Sequence, residues 1–181
     1  MAVLCLEKLI ALGARTVVAC GWGGTLSPTV EIGQVVLPTR AVSGEGTSAH
    51  YPLAAEPTAA PALRAELAEL TRAAGFVTHH GPVWTTDAPY RETGEQVHRY
   101  HDQGVLAVDM ECAALLQVAA FRGVALAMVL LISDSLAGGV WQPAFRGPSF
   151  KAGARRLTDA LFVGHLAEKF VEQESPCNTS M

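Results

Sequence analysis

The sequence predicts an α/β fold built on strands buried on both faces, and three observations carry that reading. Residues 124–132 are nine apolar residues without a break, bounded by Gly123 and by Ser133 and Asp134. Such a run is too short to span a membrane and suits a strand covered on both sides. Residues 106–108 form a shorter apolar run that leads into Asp109, Met110 and Glu111. Between the two runs, Ala113, Leu116, Ala120 and Phe121 recur at helical spacing, with Arg122 and Gly123 as stop signals. Strand, helix, strand in this order reads as a right-handed βαβ unit. Ligands in open α/β sheets bind beyond the carboxyl ends of the strands. Asp109, Glu111 and Asp134 all fall at that predicted edge. Asp109 is equally placed to cap the helix, but three acids at one edge mark a candidate site.

The remaining elements follow in order. Residues 1–12 carry Val3, Leu6, Leu9 and Ile10 at helical spacing with Gly13 as a stop, and nothing before them can act as an N-cap. The expectation is a chain that begins inside a helix. Residues 16–20 are a buried-strand candidate running into Gly21, Trp22, Gly23 and Gly24, where a Gly-rich turn would free backbone N–H groups for an anion or simply turn the chain. Residues 34–38 read as a strand. Residues 39–52 have turn chemistry and polar groups that include Glu45, Thr47, Ser48, His50 and Tyr51. Residues 54–62 are a surface connection, and residues 63–74 an amphipathic helix with Leu63, Leu67 and Leu70 inward, closed by Gly75.

Residues 76–79 and 82–86 are strand material, ended by Pro89. Thr93 and Gln96 stand in capping-box spacing for a helix to about Gln103. After the predicted βαβ unit, residues 140–148 form a loop carrying Trp141, Phe145 and Arg146. Ser149 is read as the cap of a last helix reaching to about Glu172, with Leu157, Leu161, Leu166 and Phe170 inward. The organisation expected is one domain over residues 1–173 and a flexible tail over 174–181.

Composition narrows the function classes. The chain has 181 residues, 50% hydrophobic and only 17% charged, with a net charge of −4 and a mean hydropathy of +0.26. Scattered Lys and Arg give no basic stripe, which argues against nucleic acid as a partner. The apolar excess points to subunit contacts and a homo-oligomer. With no transmembrane run and no signal-peptide pattern, the expectation is a cytoplasmic protein with no membrane partner. Cys5, Cys20, Cys112 and Cys177 are scattered, with no C-x-x-C, and His79 and His80 would face opposite sides of a strand. No metal site is expected.

At residues 108–123, VDMECAALLQVAAFRG, the chain resembles the nucleoside phosphorylase and nucleosidase family, whose signature is an acidic-Met-Glu triplet followed by small residues. The resemblance extends, in the family's order, through LEKLIALGART, GWGGTLSP with IGQVVLPT, GEGTSAHYP, GPVWTTDAPYRET and LISDS. It is closest in look to the uridine phosphorylase-like branch. It implies a three-layer α/β/α sandwich around a mixed, partly barrel-like sheet, here shortened at its N-terminus. It implies ribosyl transfer, with nucleoside and phosphate as substrates and no cofactor.

Carried over by position, the catalytic pair is Glu111, which accepts hydrogen bonds from ribose hydroxyls, and Asp134, which serves the base. The resemblance places Met110 as an apolar floor beneath the sugar and Asp109 beside it. Gly21, Trp22 and Gly23 fall in the Gly-rich segment, His50 at the sugar's 5′ end, and Tyr90, Arg91 and Glu92 near the base. The chain also departs from the family pattern. Ala19 stands where phosphorylases place a phosphate-binding Arg, Trp22 where Thr or Ser is usual, and Pro89 where an aromatic stacks on the base. The family's N-terminal phosphate loop has no counterpart before Met1. Phosphorolysis would then draw on Arg40, Arg91 or a neighbouring subunit. Hydrolysis by water, or nucleoside binding without turnover, are the alternatives.

Overall fold

The computed structural model describes residues 1–53 and 55–165. Helix α1 (Ala2–Ala11) leads to strands β1 (Thr16–Thr25) and β2 (Val35–Gly44). Helix α2 (Pro61–Ala73) opens on Pro61, whose missing N–H costs nothing in a first turn. Strand β3 (Thr78–Thr86) is followed by α3 (Gly94–Asp102). Thr93 caps α3 as its spacing predicts: the Gln96 N–H donates to its Oγ1 while Gln96 Oε1 accepts from its backbone N–H. Strand β4 (Ala107–Asp109), helix α4 (Cys112–Arg122) and strand β5 (Ala125–Ser135) then follow. Gly123 ends α4 in the left-handed region, φ 68°, where a side chain would be strained. A two-residue strand β6 (Gln142–Pro143), helix α5 (Pro148–Asp159) and a π-helical turn, Ala160–His165, complete the described elements.

Four local expectations need correction. The Gly-rich segment does not turn but continues β1 to Thr25. Residues 39–44, expected as loop, extend β2, and the two strand pieces on either side of His80 and Gly81 are one strand, Thr78–Thr86. Helix α5 starts with Pro148 in its first turn after Gly147, so the fixed proline φ, and not Ser149, sets its start. Its regular part ends at Asp159, and the expected inward residues Leu166 and Phe170, with the tail, lie outside the described residues.

The sheet order is β1-β4-β3-β2-β5-β6, and β1 also pairs with β5, so five strands close into a ring. The closure is mixed. Strands β2, β3 and β4 run parallel, β1 and β5 run parallel, and the two groups meet antiparallel at β1–β4 and β2–β5. The βαβ logic therefore holds for β2-α2-β3 and β3-α3-β4 but fails for β4-α4-β5, the unit that the sequence marked most clearly. Strand β1 lies between β4 and β5, and those two run in opposite directions. Their acids still converge because β4 is only three residues long and approaches β1 at its far end.

Helix α4 packs on β2, β3 and β5 with α1 outside it, and α2 packs on β2 and β5. The core is the continuous apolar run of β5 with Val35, Val36 and Leu37 of β2 and Leu116 and Val118 of α4. Among the described residues no helix is long and apolar enough to cross a membrane.

Candidate active site

The site is built around Gly21 to Gly24 in β1. None of these glycines has a positive φ, so backbone freedom is not why they are needed. Gly24 pairs with Val108 of β4 on one side and with Asp134 of β5 on the other. A Cβ on Gly23 would lie 2.7 Å from the Val108 carbonyl oxygen, and one on Gly24 would lie 2.8 Å from Asp134 Oδ2. The absent side chains let two acid-bearing strand ends close on β1.

A cleft of about 670 Å³ opens there, within the range of small-molecule sites. Nine predicted residues line it: Gly21, Trp22, Gly23, Tyr90, Glu92, Asp109, Met110, Glu111 and Asp134. Among the described residues Cys20, Gly24, Pro89, Val108, Ser133, Leu136 and Trp141 also line it, and none of these sixteen is Lys or Arg.

The acids at the end of β4 have different tasks. Asp109 is buried and accepts from Thr85 Oγ1 at 2.6 Å, from the Cys112 N–H at 2.7 Å and from the Glu111 N–H at 3.1 Å. Thr85 Oγ1 in turn accepts from the Ala113 N–H at 2.9 Å. Asp109 and Thr85 together cap α4, the role for which Asp109 is placed at the head of the helix, while Asp109 also lines the cleft. Burial pushes the Asp109 carboxyl up to about 6, against the opposing pull of these hydrogen bonds. Because Asp109 takes the capping role, Glu111 stands exposed in the cleft. Its carboxylate has no hydrogen-bond partner among the described residues, and Met110 lies exposed beside it.

At the other end, Asp134 accepts from Ser133 Oγ at 2.5 Å on Oδ1 and from Trp141 Nε1 at 2.8 Å on Oδ2. Glu92 is half-buried nearby, and its carboxyl is pushed up to about 7, chiefly by burial and then by the charge of Asp134.

Neighbouring hollows give the cleft a direction. Met110 and Glu111 also line a pocket of about 380 Å³ containing His50, Glu45 and Asp87. Glu92 and Leu136 also line one of about 270 Å³ beside α3. His50 therefore lies outside the cleft but next to its Glu111 end. Arg91, on the short turn Pro89–Arg91, does not line the cleft. Arg40 is paired with Glu56 at 3.2 Å. Among the described residues no group of three or more His, Cys, Asp or Glu is placed to hold a metal ion.

Sequence reasoning missed Ser133 and Trp141. Ser133 was hidden as a strand-end residue. Trp141 reaches Asp134 because Ser135 pairs with Gln142 and folds the intervening segment back.

Comparison with known proteins agrees with this architecture. The chain is 33% identical over 141 residues to the guanosine phosphorylase of Halorubrum lacusprofundi, a match covering 76% of this chain and 58% of that protein. It is 29% identical over 141 residues to the uridine phosphorylase of Salmonella typhimurium, covering 70% and 56%. The chain thus spans less than three-fifths of these relatives. A crystal structure of purine nucleoside phosphorylase from Toxoplasma gondii in complex with immucillin-H has the same fold, with a TM-score of 0.76 at 22% identity, over 87% of this chain and 65% of that one. The model of the Phosphorylase superfamily matches residues 1–162, and the chain belongs to that superfamily.

Proposed function

We propose that the cleft binds a nucleoside and that the protein cleaves its N-glycosidic bond with phosphate, needing no further cofactor. The observation that carries this reading is the polarity of the cleft. A carboxylate unpartnered among the described residues, Glu111, stands with the apolar Met110 where the cleft meets the hollow of His50, and a pair of interacting acids, Asp134 and Glu92, lies toward the hollow beside α3. A carboxylate accepts two hydroxyl donors at once, which suits the adjacent hydroxyls of a ribose. Breaking the bond builds positive charge on the sugar and negative charge on the base. Glu111 offsets the first. Glu92, which holds a proton near neutral pH, is suited to quench the second. The names of the relatives, guanosine and uridine phosphorylases, support the same chemistry.

Among the described residues the lining holds no Lys or Arg, which favours a second reading, in which water replaces phosphate, since phosphate recognition ordinarily uses cations. In the phosphorolytic reading these cations come from beyond the lining residues. We take the working protein to be cytoplasmic and a homo-oligomer, and the exposed apolar side chains Leu4 and Leu9 of α1, Leu12 at its end and Phe121 of α4 support the oligomer. Incubation with a panel of purine and pyrimidine nucleosides, with and without phosphate, tests both readings. Free base and pentose 1-phosphate that form only with phosphate support phosphorolysis. Base release indifferent to phosphate supports hydrolysis, and nucleoside binding without release rejects both.

A further inference from the structure

Trp141 is an exposed indole held in place by a directional bond. Its side chain is 54% exposed, yet its Nε1–H donates to Asp134 Oδ2 at 2.8 Å, and its ring lies beside Phe145 with centroids 6.3 Å apart. It stands in the wall between the cleft and a second hollow lined by Phe150 and Arg146. Trp22, the other tryptophan of the cleft, is 56% exposed and braced edge-on by Phe150 at 5.1 Å. Pro89, which also lines the cleft, offers no π face. A large apolar ring left open to water beside a polar anchor is the arrangement that a flat heteroaromatic ligand completes. The ring face is covered by stacking while the ligand's edge meets the anchor.

We propose that Trp141 is the base-stacking wall of the cleft and, through its indole N–H, the positioning residue for Asp134. This rests on the nucleoside reading. The two roles are separable by chemistry. Phenylalanine keeps a stacking face and removes the N–H, whereas alanine removes both. Asp134 Oδ2 then loses its donor in either variant, and Ser133 alone orients the carboxylate.

The test uses the full chain and three ligands, guanosine, uridine and ribose 1-phosphate, which carries the sugar without a base. Affinity is measured by calorimetry and turnover by base release. In Trp141→Ala, the Kd for both nucleosides rises about tenfold or more, the scale of a lost base–aromatic stack. The Kd for ribose 1-phosphate stays within about twofold. In Trp141→Phe, nucleoside Kd stays within a few-fold of wild type while kcat falls, because Asp134 is no longer held. A purely structural role for Trp141 would weaken all three ligands together in both variants, and that result overturns the proposal. Wild-type nucleoside affinity and turnover in Trp141→Ala overturn it alone and leave the nucleoside reading standing. Failure of the wild-type chain to bind either nucleoside overturns both. Trp141→Phe keeps the test decisive if the alanine variant does not fold.

Discussion

Asp109 and Glu111 are two residues apart and face opposite duties, which is visible only from their partners. Asp109 accepts one hydroxyl and two backbone N–H groups and holds α4, whereas Glu111 offers its carboxylate to the cleft. The sequence made both legible as acids after a strand. It named Asp109 as a possible cap but left that role open beside ligand binding, because the Thr85 hydroxyl that completes the cap arrives from β3. Glu111→Gln is expected to weaken nucleoside binding and to lower kcat/KM by about tenfold or more, the scale of a charge-assisted hydrogen bond lost in the transition state. Unchanged kcat/KM in a folded preparation would refute the assignment. Glu92 carries a pH signature. With its carboxyl near 7, kcat/KM should fall as pH rises above about 7, and Glu92→Gln should lower the rate below that pH and flatten the limb. A profile identical to wild type would remove Glu92 from proton transfer. Arg91 does not line the cleft, and His50 lines the hollow that shares Met110 and Glu111 with it.

At the scale of elements, the boundaries of α1, α2, α3 and α4 were legible because apolar spacing, the Thr93 cap and the glycine stops are local signals. Strand direction was not. The antiparallel relation of β4 to β5 arises from ring closure through β1, a long-range pairing that no local run of residues encodes. The Gly-rich segment was read as a turn for the same reason, since the close neighbours that require glycine come from β4 and β5. The two glycines should fail differently. In Gly23→Ala the new Cβ meets a backbone carbonyl, which cannot move without the strand, so stability should fall by roughly 1–3 kcal/mol in denaturant titration. In Gly24→Ala it meets the tip of Asp134, so the carboxylate should swing away and turnover should suffer more than stability. Equal stability losses with equal activity losses would contradict this division.

For the whole molecule, the buried carboxyls of the cleft couple folding to pH. Glu92 is raised from 4.5 to about 7 and Asp109 from 3.8 to about 6. Folded-state values above the ordinary ones mean that the native state binds these protons more tightly. The stability they contribute is full below about pH 4 and is lost as pH rises through 6 to 7. Glu92→Gln, which cannot ionise, should therefore gain in Tm relative to wild type as pH is raised from 5 to 8, modestly because Glu92 is only half-buried. A Tm difference that stays constant or shrinks over that range would contradict the burial argument.

The central claim is a nucleoside site with a fixed direction, and a crystal structure of the chain with bound guanosine tests it most directly. The predicted result is ribose hydroxyls within about 3 Å of Glu111 above Met110, with the base beside Asp134, Glu92 and Trp141. Guanosine seated in the hollow between Trp141, Arg146 and Phe150, or bound with its base on Glu111 and its sugar on Asp134, would contradict it.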